Sequence, residues 1–158
     1  MKDFLLLANI NTITYKEFFP LLKEGKVNTG YVSNKTLDFE TPGGETKKQT
    51  GICWYTTFPV IHKHLVLTKA YNPQDYQAYD NYNAINVDKV KDIPYDYDGV
   101  MGVPITIFQY DLDNVEIVDA RDHTDNALLK NKGTQLVKDA DGKMAGRTVY
   151  PRILIKKR

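Results

Sequence analysis

Between positions 79 and 110 the chain reads Y-D-N-Y-N-A-I-N-V-D-K-V-K-D-I-P-Y-D-Y-D-G-V-M-G-V-P-I-T-I-F-Q-Y, a stretch suited to handling a flat, hydrogen-bonding ligand. Asn81, Tyr82 and Asn83 alternate amide with ring, and Asn86 follows. An asparagine amide matches the donor and acceptor pair on an adenine edge, and a tyrosine face stacks on an unpaired base for about 1–3 kcal/mol. The same residue types also suit a surface loop that feeds a core strand. Asp75, Asp80, Asp88, Asp92, Asp96 and Asp98 outnumber Lys89 and Lys91, so this stretch is no phosphate cradle. Paired carboxylates serve acid–base work or calcium, but Asp96-Tyr97-Asp98-Gly99 has the composition of a tight turn, and the turn is the reading adopted.

Other candidates lie outside this stretch. Asn9 and Asn11 follow the apolar run 4–8, at the strand end where open α/β sheets place ligands; asparagine also closes strands without any ligand. Trp54 and Tyr55 are adjacent rings in I-C-W-Y-T-T-F, and because strand residues alternate faces, at most one of them can meet a base while the other packs inward. Arg147, Arg152, Lys156, Lys157 and Arg158 form a basic cluster able to neutralise phosphates, or else a solvated tail. Lys47 and Lys48 offer two more cations. A zinc site on His62 and His64 would need Cys53 and His123 to converge with them, and is not adopted.

These residues need elements to hold them. The continuous apolar run 4–8 has the mark of a strand buried on both faces of a parallel sheet. Thr14-Tyr15-Lys16-Glu17 matches a capping box with Ile13 and Phe18 as its staple, which places a helix start at Tyr15. Pro20 predicts a kink or restart and Gly25 a stop, with Phe18, Leu21 and Leu22 facing the sheet. Residues 31–39 read as a strand before Pro42-Gly43-Gly44, residues 40–50 as a polar loop, and residues 52–58 as a central strand. Residues 65–67 read as a strand and 71–80 as a connecting loop. After Phe108 the pattern is all-β: a strand at 115–120, a polar loop at 121–133, and a hairpin pairing 136–138 with 149–155 around an Asp-Gly tip.

At 158 residues the chain is about one domain, and a formal net charge of +1 leaves no whole-molecule attraction to nucleic acid. Its single cysteine excludes an internal disulfide and fits a reducing compartment. The N-terminal apolar run is too short for a secretory segment or a membrane span, so the expected location is the cytoplasm and no membrane partner is expected.

Four blocks carry a resemblance that spans nearly the whole chain: A-N-I-N-T-I-T-Y-K-E-F-F-P-L-L-K-E-G-K at 8–26, G-I-C-W-Y-T-T-F at 51–58, the Asn/Tyr block at 81–106, and Y-P-R-I-L-I-K-K at 150–157. In this order they resemble the C-terminal half of the EcoRI-type adenine-specific DNA methyltransferases. The resemblance implies an α/β to α+β fold, the C-terminal part of a Rossmann-like methyltransferase sheet at 1–72 followed by a β-rich target-recognition region at 73–158. It implies methyl transfer from S-adenosylmethionine to the exocyclic amine of a flipped adenine, with Asn9, Asn11, Trp54, Tyr55, Asn81, Tyr82, Asn83, Arg147, Arg152, Lys156 and Lys157 toward base and DNA. The family's Gly-rich cofactor loop and Asn-Pro-Pro-Phe motif do not occur in these residues. The expectation is therefore a fragment or split half, inactive alone and not binding S-adenosylmethionine by itself. Its expected partners are DNA and either the missing half or a second copy, joined through an open strand edge near residues 4–8. A stand-alone DNA-binding or interaction module is the other reading.

Overall fold

The computed structural model describes residues 2–33, 37–79, 82–121, 137–138, 144–145 and 152–158. They fall into two units, one comprising Met1–His64 with Phe108–Asp111 and the other Leu65–Ile107 with Leu112–Arg158.

The first unit holds β1 (Leu5–Asn9), α1 (Phe19–Lys23), β2 (Asn28–Ser33), β3 (Leu37–Glu40), β4 (Thr46–Gln49) and β5 (Ile52–Thr56). β5 is the middle strand of a three-stranded antiparallel sheet ordered β1-β5-β2, as its β-branched and aromatic residues lead one to expect. The parallel, doubly buried strand expected at residues 4–8 is not what forms. β1 pairs antiparallel with β5 at the sheet edge, and Leu5 and Leu6 are 62% and 50% exposed. A short apolar run has no period that separates a buried central strand from an apolar edge strand, so its neighbours had to decide.

After β1 the chain makes a 3-10 turn over Ile10–Thr14 instead of preparing a long helix. The Thr14 hydroxyl donates to the Asn11 carbonyl, so the capping box does not form. The helix starts at Phe19, not Tyr15, because proline lacks an N–H and fits only a first turn; Pro20 occupies that position. Gly25, at φ 68°, ends it as expected. Phe19 and Leu22 are its buried residues, and Phe18 meets Tyr55 edge-on at 4.9 Å. The expected strand over 31–39 is two strands, β2 and β3, and the loop expected at 40–50 contains β4, which pairs with β3 in an exposed hairpin.

The core behind β5 has a titration consequence. Burial pushes the Cys53 thiol from 9.0 up to about 12, eased by its hydrogen bond to Tyr55. Burial, reinforced by the adjacent Cys53, also pushes the Tyr55 phenol up. Both groups hold their protons more tightly folded than unfolded, so the stability they contribute is complete below the unfolded values and is lost as pH rises through the folded ones.

The second unit holds β6 (Gln77–Ala78), β7 (Ile85–Asn86), β8 (Met101–Pro104), β9 (Val115–Arg121), β10 (Val137–Lys138), β11 (Met144–Ala145) and β12 (Arg152–Lys157). Five of these make a mixed sheet ordered β6-β7-β8-β12-β9, in which only β7 and β8 run parallel. A parallel pair needs a long crossover, and residues 87–100 supply it. Val87, Val90 and Ile93 of that crossover are buried, which gives half of the block at 81–106 an ordinary packing role. The apolar run after Gly99 divides at Pro104, strand before it and 3-10 turn over Ile105–Gln109 after it.

β12 is no solvated tail. It lies between β8 and β9, and Ile153, Leu154 and Ile155 are wholly buried, each worth roughly 1.5–3 kcal/mol. The hairpin expected between 136–138 and 149–155 instead joins β10 to β11; its Asp-Gly tip and the loop at 122–133 lie outside the described residues.

Gly102, in β8, is fixed by a close approach. A Cβ there would stand 2.9 Å from Cε2 of Tyr79, whose ring crosses the strand at that point. Gly102→Ala is expected to lower stability by about 1–3 kcal/mol in urea unfolding, and an unchanged midpoint would contradict that contact. For the first unit, the urea midpoint should hold to pH 9 and fall between pH 9 and 12, with a shallower fall in Cys53→Ala. An equal fall in both proteins would remove Cys53 from the account.

Candidate nucleic-acid interface

Strand alternation separates the two adjacent rings of β5. Tyr55 is fully buried, and its hydroxyl donates to the backbone carbonyl of Asn9 at 2.9 Å. Trp54 points the other way and is 38% exposed. It stands opposite Leu7 of β1, with Leu5 two residues along on the same face. On the β2 side Gly30 leaves room for it, since a Cβ there would be 2.9 Å from the Trp54 Cβ. The outcome is one indole on an apolar, solvent-facing sheet surface.

Asn9 is exposed and Asn11 half-buried, and the Asn9 Oδ1 accepts from the Asn11 N–H at 2.8 Å. Because β1 and β5 run antiparallel, the strand-end geometry of an open parallel sheet does not apply to these two amides. Lys47 and Lys48 project from the β3–β4 hairpin, where Lys48 stands opposite Asp38. His62 meets the Thr29 carbonyl at 3.1 Å and His64 the Asp111 carboxylate at 2.7 Å. Among the described residues no cluster of His, Cys, Asp and Glu could hold a metal, and His123 lies outside them.

The second unit has an open cleft of about 610 Å3, walled by Tyr71, Tyr79, Tyr82 and Tyr97 with Asn83 and Ile85. Tyr71 packs against Tyr97 at 4.5 Å and stacks on Tyr76 at 5.5 Å. Its backbone N–H donates to the Asp96 carboxylate at 2.6 Å, which ties the turn at 94–97 to the wall. Tyr79 is the buried wall, and burial raises its phenol well above the usual range. Its hydroxyl donates to Asn86 Oδ1 at 2.7 Å, Asn86 Nδ2 donates to Asp88 at 2.7 Å, and Arg152 Nη2 reaches the same Asp88 oxygen at 3.4 Å.

That chain of contacts places the basic cluster. Arg152 is buried, with its guanidinium reaching the exposed Asp88 carboxylate. Lys156 and Arg158 are exposed and Lys157 half-buried. Asn81 and Arg147 lie outside the described residues, while Tyr82 and Asn83 sit together at the cleft. The named residues are thus divided between units, with Asn9, Asn11, Trp54 and Tyr55 in the first and Tyr82, Asn83, Arg152, Lys156 and Lys157 in the second. Sequence reasoning missed Tyr71, Tyr79 and Tyr97 as cleft walls. Tyrosines in two loops remote from each other in sequence carried the only signal, and nothing local showed that they meet.

The described residues do not form the strand-to-helix turn of a Rossmann-type nucleotide pocket. Such a pocket needs a glycine-rich turn leading from a parallel strand into a helix N-terminus. Here β1 leads into a 3-10 turn, the parallel pair β7 and β8 is connected through a 3-10 turn at Val90–Asp92, and α1 has five residues. No described helix is long and apolar enough to cross a membrane.

The family model described as "Adenine-specific methyltransferase EcoRI" matches residues 1–158. The Type II methyltransferase M.EcoRI of Escherichia coli is 38% identical, over 98% of this chain and 50% of its own length. The Type II methyltransferase M.MgeORF184P of Mycoplasma genitalium is 32% identical, over 99% of this chain and 57% of its own. M.MpnI of Mycoplasma pneumoniae is 29% identical over the same shares. The chain spans about half the length of these curated relatives. No solved structure matches it. A family match that runs over residues 1–158 makes this chain a member of the EcoRI-type adenine-specific methyltransferase family.

Proposed function

We propose that these residues supply the target-base and DNA contacts of a DNA adenine-N6 methyltransferase of a restriction-modification system, and that donor binding and catalysis need residues outside them. The match along the full chain carries this reading. The first unit then continues a Rossmann-like catalytic sheet, with β1 as the edge at which further strands join. Its open side and the exposed Leu5 and Leu6 support that joining, because an unpaired apolar edge favours strand addition. The partner is the complementary half of the enzyme, and a second copy would use the same edge.

A base inside a duplex cannot reach a methyl donor, so the target adenine must leave the stack and be held flat. Trp54 is the ring of β5 able to hold it, since Tyr55 is committed to the core. Lys156 and Lys157, with Lys47 and Lys48 on the hairpin, are the cations offered to phosphates. In the complete enzyme S-adenosylmethionine supplies the methyl group, and the residues described here do not provide its pocket.

Two measurements test this. The purified chain should transfer no methyl group to duplex DNA on its own and should do so when mixed with a polypeptide supplying the upstream half; a measurable rate from the chain alone would overturn the proposal. Trp54 is the sole tryptophan, so its emission reports directly on stacking. DNA with an unpaired adenine should quench it, and Trp54→Ala should bind that DNA roughly tenfold more weakly. Binding without any change in emission would remove Trp54 from the base site.

A further inference from the structure

The tyrosine cleft of the second unit contains Tyr82 and Asn83, expected to face base and DNA, but the target adenine is given to Trp54 in the first unit. We infer that the cleft is a second base-binding site, taking one unpaired nucleobase with its sugar and leaving the phosphate outside. The inference deepens the DNA-acting reading and rests on it for the kind of ligand.

Volume comes first. About 610 Å3 is ample for a nucleoside, and the cleft is open to solvent. Tyr71, Tyr82 and Tyr97 are only half-buried, so part of each side chain remains open to a ligand. Asn83 adds an exposed amide, the side chain that pairs with a base edge.

Charge then decides between base and phosphate. Among the described residues no lysine or arginine lines the cleft, and the exposed Asp96 carboxylate accepts from the backbone N–H of Tyr71, one of its walls. A phosphate would find no cation among the described lining residues. A neutral aromatic ring meets stacking surfaces and one amide.

The back wall is built rather than incidental. Tyr79 is held across Gly102 by the relay through Asn86 and Asp88 to Arg152. Among the described residues the buried Arg152 Nε finds no hydrogen-bond partner, a cost that folded proteins seldom carry. The chain carries it at the group that anchors this wall.

The test uses 2-aminopurine deoxyriboside, whose fluorescence is quenched on stacking, titrated with the full chain. Saturable quenching is expected. It should be retained in Tyr82→Phe, weakened roughly tenfold in Tyr82→Ala, and weaker for the 5′-monophosphate than for the nucleoside. Absence of saturable quenching, or quenching that Tyr82→Ala leaves unchanged, overturns the inference. Displacement by an equal concentration of tetramethylammonium also overturns it, because the cleft would then be a cation cage. Nucleoside binding without any duplex binding would leave the cleft standing and remove the DNA-acting function. Duplex binding with no nucleoside binding would do the reverse.

Discussion

The second unit depends on a ring lying where a side chain would otherwise be. Tyr79 crosses β8 at Gly102, and its hydroxyl is anchored to Asn86. That contact joins the parallel pair β7 and β8 to the residue that follows β6, and it makes one wall of the cleft from the same residue that packs on Ala84 and Leu154 in the core. Its hydrogen-bond relay ends on Arg152 in β12, so packing of the sheet centre and placement of the ring are one problem. An arginine that reads in sequence as part of a basic tail is thereby a structural residue turned inward.

The first unit rests on a simpler constraint, the two-residue period of a strand. β5 must bury Cys53 and Tyr55 to make a core, which obliges Trp54 to face solvent. In the proposed function that obligation is what makes the indole available to a base. The near-neutral charge of the chain points the same way. With a formal net of +1 and an acidic crossover at 87–100, the proposed affinity for DNA would have to come from rings and amides as well as from a few cations.

Much of the fold was legible where local chemistry leaves little choice. The β-branched and aromatic run at 52–56, the glycine stop at Gly25 and the strand at 115–121 are settled within a few residues. Features decided by distant partners were not. The run at 5–9 pairs as an antiparallel edge, Pro20 outweighs a good capping box, and β12 leaves the hairpin expected of it because β8 and β9 bury its isoleucines and leucine better. The site followed the same division. Alternation announced that Trp54 and Tyr55 would part company, whereas the meeting of Tyr71, Tyr79, Tyr82 and Tyr97 needed the chain to be folded.

Photocrosslinking tests most directly whether this chain grips DNA by its bases. A duplex carrying a photoreactive adenine analogue at an unpaired position would be irradiated with the protein and the adducts mapped by mass spectrometry. The account predicts adducts on Trp54 and on the cleft residues Tyr82 and Tyr97. Adducts confined to Lys47, Lys48, Lys156 and Lys157, with none on the rings, would contradict it.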